Sequence, residues 1–207
     1  MNARTTVAVA LTACLATGCA IRSDLMTATG ESPMALRPEP GKALVVFVRP
    51  ALTGYAIQAV VYDGERFIGV VSRFSAVPYQ AEPGAHRLMV VSEAADFLDA
   101  DLAEGRTYFV EVQPRMGAWR ARFSIRPVSA TAEASNISAW LAEAKVVTPN
   151  AEGRAWAARN QDSAMKKKAA YEPKWIAKAN RPVMRADDGT PPVEATGAVP
   201  ARERASE

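Results

Sequence analysis

"YAIQAVVYDGERFIGVVS", residues 55–72, carries two β-rich runs around Asp63-Gly64. Asp-Gly between alternating apolar residues is a strong short-range hairpin signal. Gly64 supplies the positive φ of a tight turn, and Asp63 is expected to bond the turn backbone. The same grammar repeats outward on both sides. "ALVVFVRP", residues 43–50, is a continuous apolar run closed by Pro50 and reads as a buried strand. "VPYQAEPGAHRLMVV", residues 77–91, reads as a strand pair turning at Pro83-Gly84. "DADLAEGRTYFVEVQP", residues 99–114, turns near Gly105 and then alternates Tyr108, Val110 and Val112 with Phe109, Glu111 and Gln113. In "AWRARFSIRP", residues 118–127, Trp119, Ala121, Phe123 and Ile125 share one face, and Arg120, Arg122, Ser124 and Arg126 the other. These signals predict a mainly β chain: a small antiparallel β-sandwich of about eight strands over residues 43–128.

Composition agrees with one packed domain plus appendages. The chain has 207 residues, 49% hydrophobic and 23% charged, which argues against wholesale disorder. The net charge of +3 is too small to point to nucleic acid. Within 43–128 nine basic residues balance nine acidic ones, so the arginine face of the last strand reads as a solvated outer face.

After Pro127 the period changes. Ile137, Trp140, Leu141 and Ala144 fall on one helical face, with Ser135 or Asn136 to cap it. A second helix is expected over residues 148–172, opened by Thr148-Pro149 and ended by Pro173, with a weak stripe of Ala151, Ala155, Ala158 and Met165. Residues 151–181 hold eight Lys/Arg against three acids. Interleaved aromatics make Trp156, Lys166, Lys167, Lys168 and Trp175 candidates for contact with an anionic polymer or lipid surface; the alternative is a helix packed on the sheet with solvated lysines. Residues 129–180 thus form a helical extension, and residues 181–207 a disordered tail whose first few residues could strap the domain.

The only two cysteines, Cys14 and Cys19, lie in the first twenty residues, so the domain cannot draw on a disulfide or a thiolate metal site. Met1 to Arg4 is a short basic start, and "TTVAVALTACLATG", residues 5–18, follows without a charge. It is too short to span a bilayer and suits the apolar part of a secretory signal. Gly18-Cys19 resembles the cleavage point of bacterial lipoproteins, where the cysteine thiol takes diacylglycerol. Ala16 stands where Leu is usual, and Cys14, preceded by Leu11-Thr12-Ala13, competes. Ala16-Thr17-Gly18 also satisfies ordinary signal peptidase, which leaves secretion without lipid as an alternative; the resemblance implies a signal peptide at 1–18 and lipid on Cys19. Ala20, in place of the Asp that retains such proteins in the inner membrane, implies the outer membrane, facing the periplasm. Residues 19–42, rich in Ser, Thr, Pro and Gly, read as a flexible tether.

The ordered series Val45 to Pro50, Tyr62-Asp63-Gly64 with Ile68-Gly69, Glu82 to His86, and Gly105 to Tyr108 resembles a bacterial lipoprotein family with a domain of unknown function. It is similar in pattern to the small PEGA-type β-sandwich. The resemblance implies a fold and a cell-envelope setting, and no catalytic residues.

Chemistry is sparse. His86 is the lone histidine and cannot by itself make a triad or a zinc site. It is expected to face the side of Leu88 and Val90 in a structural role. Glu93, Asp96, Asp99, Asp101 and Glu104 cluster without calcium-loop spacing, and Asp99 and Asp101 read as solvated charges of an edge strand. Phosphate-loop, G-x-S-x-G and H-E-x-x-H motifs are missing. The expectation is a non-enzymatic envelope protein with no cofactor. Its partners are the membrane, through the lipid, and an envelope protein or polymer (peptidoglycan, lipopolysaccharide or anionic lipid), not nucleic acid.

Overall fold

The computed structural model describes residues 23–50, 58–115 and 122–190. The elements are β1 (Met26–Ala28), β2 (Ala43–Val48), β3 (Ala59–Asp63), β4 (Arg66–Val71), β5 (Ser75–Ala81), β6 (Gly84–Val91), β7 (Ala95–Leu102), β8 (Thr107–Arg115), β9 (Arg122–Val128), α1 (Ala134–Glu143), β10 (Lys145–Pro149), α2 (Ala151–Ile176) and β11 (Val183–Met184). The protein is mainly β, with two sheets and a C-terminal helix. One sheet runs β1-β10-β5-β2-β8-β9 and the other β11-β7-β6-β3-β4.

The apolar run of β2 is explained by burial on both faces. Val45 and Phe47 enter a cluster to which both sheets contribute, with Val61, Leu88, Leu98 and Tyr108. Leu44, Val46 and Val48 turn the other way and meet Ile137 and Leu141 of α1. The outer face of the second sheet is covered by α2, where Tyr62, Met89 and Phe97 pack with Ala164 and Trp175.

The hairpin at Gly64 (φ 56°) forms as expected, pairing Asp63 with Arg66 and bulging between Val61 and Tyr62. Two other turns do not join paired strands. The turn before Gly84 (φ 121°) carries the chain from β5 in one sheet to β6 in the other, and Gly105 (φ 73°) carries it back from β7 to β8. Because β8 returns to the end where β2 starts, the two run parallel, Leu44 opposite Thr107. The β10–β5 and β11–β7 pairs are parallel too. An all-antiparallel arrangement is therefore corrected to a mixed one. Among the described residues, eight strands fall within 43–128, and three more come from segments read as tether, helical extension and tail.

Those outer segments are laid onto the domain. Residues 23–42 contribute β1, the packed Met26 and the buried Leu36, so this part of the expected tether is held. In the expected tail, residues 183–190 strap the sheet. Met184 is fully buried, and Thr190 N–H donates to Thr107 O at 2.9 Å. β11 also covers the β7 edge at Asp99 and Ala100, so Asp99 and Asp101 do not lie on an open edge strand.

Candidate functional site

The basic helix comes first, because the sequence points there. Asn150, not Thr148-Pro149, caps α2: its side-chain oxygen accepts from Gly153 N–H at 2.8 Å, while Thr148 and Pro149 belong to β10. The helix runs past Pro173 to Ile176. Proline removes one donor, but the following turn is retained by Trp175, which is 2% exposed and packs on Phe97 with ring centroids 5.7 Å apart. The buried seam is Gly153, Ala157, Ala164 and Trp175, whereas Ala151, Ala155 and Ala158 are exposed and Met165 is half-buried.

That rotation separates the five candidates. Lys166 is exposed and Trp156 half-buried. The Lys167 ammonium donates to Ser92 O, and Lys168 donates to Glu172 at 2.7 Å. Trp175 lies under the helix, so it cannot serve as an interfacial aromatic, a correction to the sequence reading.

The polar groups of the β region bind one another. Asp63 does not bond its own turn. Its Oδ2 accepts from Tyr79 O–H at 2.8 Å and meets His86 Nδ1 at 2.7 Å. His86 Nε2 lies 2.8 Å from Glu82 O, so both ring nitrogens are engaged. Because Tyr79 is on β5, and Asp63 and His86 are on β3 and β6, the cluster ties one sheet to the other. Burial first, and then the Asp63 carboxylate, push the Tyr79 phenol up to about 12. In the acidic stretch, Asp99 receives Arg87 at 2.7 and 3.3 Å, Arg87 also donates to Glu172 at 2.9 Å, and Asp96 pairs with Lys178 at 3.6 Å. Among the described residues, no three His, Cys, Asp or Glu side chains gather as a metal site, and no helix is long and apolar enough to cross a membrane.

The most constructed feature is the seat of the N-terminal segment. Cys19 and the competing Cys14 lie outside the described residues. Ser23 is buried, and its carbonyl accepts from Met26 N–H at 3.0 Å. β1 pairs with β10, Met26 opposite Pro149. Asn150 donates from its backbone to Leu25 O at 3.2 Å and from its side chain to Asp24 O at 2.7 Å. Leu25 O lies where a Cβ on Gly153 would be, at 2.1 Å, so only glycine fits there. Asn150 therefore caps α2 and grips the incoming chain with the same side chain. The sequence carries weak signals of this: a capping Asn after Pro149, and a glycine in the first helical turn, where it costs helix propensity.

From Cys19 to Ser23 the chain advances four residues, which span at most about 14 Å when fully extended. Any group fixed to Cys19 is held that close to Ser23 and to the surface around it.

The chain matches no protein-family model, and no curated protein is similar to it.

Proposed function

We propose that the protein is a lipid-anchored, non-enzymatic component of the bacterial cell envelope. In this reading Cys19 is the lipidated first residue of the mature chain. The β-sandwich is held at the periplasmic face of the outer membrane as a structural or protein-interaction module. The observation that carries the reading is the seat at Ser23 to Met26, which begins four residues after a charge-free run ending Gly18-Cys19. A lipoprotein on a long leash has no use for a grip four residues after its lipid. A domain that must lie against the head groups does.

The anchor itself is a matter of hydrophobic area. Each buried methylene contributes about 0.8 kcal/mol, so two or three acyl chains retain the domain on the bilayer. The anionic-polymer reading of α2 draws less from the geometry, because Lys167, Lys168 and Trp175 are committed internally.

Mass spectrometry of the mature N-terminus, with and without globomycin, tests the proposal. A diacylglyceryl cysteine at Cys19 and accumulation of the unprocessed form under globomycin are expected. An unmodified N-terminus, or unchanged membrane fractionation of Cys19→Ala, overturns it, and lipid on Cys14 moves the anchor.

A further inference from the structure

A cavity of about 150 Å³ opens beside Ser23, between the turn joining β4 to β5 and the end of α1. Its walls include Ser72, Arg73, Phe74, Glu143 and Lys145. We propose that this cavity binds the phosphate of a phospholipid head group.

Three observations lead there. First, two adjacent residues of its lining carry donors with nothing to bond. Ser72 is 8% exposed, and neither its Oγ nor Arg73 Nε has a partner among the described residues. Buried hydroxyl and guanidinium N–H groups are almost always paired, so two unpaired ones on neighbouring residues call for an acceptor that the described residues do not supply. Second, the charge is cationic. The lining carries Arg73 and Lys145 and, against them, the single carboxylate of Glu143. The buried Arg49 stands close behind, drawn down to about 10 by burial and then by the charge of Arg73. Guanidinium with hydroxyl is a donor set suited to phosphate oxygens.

Third, the turn is held in a costly shape. Phe74 has φ 55°, rare for a bulky residue. The conformation is fixed from several sides. Ser75 bonds Ser72 O through N–H (3.2 Å) and Oγ–H (2.8 Å), Phe74 N–H donates to Arg49 O (3.1 Å), and Lys145 N–H donates to Phe74 O (2.9 Å). The Phe74 ring in turn supports the Arg73 guanidinium, 4.2 Å from its centroid. The strained turn thus presents Arg73 at the cavity wall.

A lipid as the source of the phosphate rests on the anchored reading, since Ser23 in the cavity lining is at most about 14 Å of chain from Cys19. The donor set itself does not.

The test uses the full processed protein, purified from membranes in a neutral detergent. Calorimetric titration compares dihexanoyl phosphatidylglycerol with inorganic phosphate, and the mass of the same sample reports lipid on its N-terminus. Saturable phosphatidylglycerol binding is expected, weakened about tenfold or more by Arg73→Gln, as loss of a charge-assisted bond implies, and unchanged by Arg122→Gln on the exposed face of β9. Ser72→Ala removes no existing bond. It should raise the ligand-free melting temperature while weakening binding, a combination that misfolding cannot mimic. Equal affinity for inorganic phosphate overturns the lipid source. Binding that is absent, or unaffected by both Arg73→Gln and Ser72→Ala, overturns the site. If binding persists on a chain without lipid, the anchor reading falls and the phosphate site stands; lipid without binding gives the reverse.

Discussion

α1 and α2 each cover the outer face of one sheet, and they do it by opposite means. α1 is 10 residues long and presents large apolar side chains, Ile137 and Leu141, with Trp140 and Ala144 beside them. α2 is 26 residues long and presents Gly153, Ala157 and Ala164, whose small size brings its backbone close, and a single large anchor, Trp175. Polar clamps differ in the same way. α1 is fastened at its start by Arg126, which holds Glu133 at 2.8 Å and Glu111 at 2.7 Å. α2 is fastened along its length: Gln161 to Glu65 O at 2.8 Å, Lys167 to Ser92 O, and Glu172 to Arg87 at 2.9 Å. A short helix is held by the volume of its side chains. A long one with little apolar area is held by close approach, one anchor and many polar contacts.

If that contrast is right, the largest effect comes from the single anchor. Trp175→Ala should cost about 3–5 kcal/mol, the range for deleting a buried aromatic. Trp175→Phe should cost far less, because the indole Nε1 is buried without a partner among the described residues and loses no bond. Equal losses for the two variants in urea unfolding would break the idea of an anchor held by its buried aromatic area and not by a hydrogen bond. On the other helix, Leu141→Ala should cost about 2–3 kcal/mol, the low end for a buried leucine. Leu141 borders an open groove of about 340 Å³ with Val46 and Phe109, so it has less packing to lose.

Gly153→Ala comes next and its sign is diagnostic. Alanine gains about 1 kcal/mol of helix propensity. The new Cβ meets the Leu25 carbonyl, which is backbone and cannot swing aside. A net loss of about 1–3 kcal/mol, as for overpacking, is expected. A raised urea midpoint would show that the N-terminal segment does not sit on α2.

The same contrast explains what could be read from the sequence. Ile137, Leu141 and Ala144 repeat at helical spacing, so the α1 face was legible. The α2 seam was not, because Gly153, Ala157 and Ala164 carry no hydropathy to set them apart from the exposed Ala151, Ala155 and Ala158. Asp63-Gly64 gave a correct hairpin, since a tight turn leaves the next strand one place to pair. Gly84 and Gly105 signalled bends, but a bend does not say which sheet receives the chain. The parallel pairing of β2 with β8 followed from that hidden choice. For the candidate site, Lys166, Lys167 and Lys168 were visible as charge. The Lys168–Glu172 pair lies within the helix at i, i+4, whereas the partner of Lys167, Ser92 O, depends on where the helix lands. Arg73 and Phe74 fall between the strand signals and carry none of their own, because nothing in a phenylalanine announces a positive φ.

The smallest effect compares the two clamps directly. The Arg126 hydrogen bond, against partial burial, holds Glu133 below its ordinary 4.5. Burial works to raise Glu172, but hydrogen bonds from Lys168 and Arg87 outweigh it, so that carboxyl is lowered too. A carboxylate lowered on folding adds stability that is present above pH 4.5 and is lost as pH falls through the lowered folded value. Both side chains are partly solvated, so each contributes at most about 1 kcal/mol. Glu172 should contribute more, because it answers two cations where Glu133 answers one. Glu172→Gln should therefore flatten the fall in urea midpoint below pH 4.5 more than Glu133→Gln does, with little difference between the variants at pH 3. The reverse order would mean that α2 is held by its small-residue seam and Trp175, and that its polar clamp adds almost nothing.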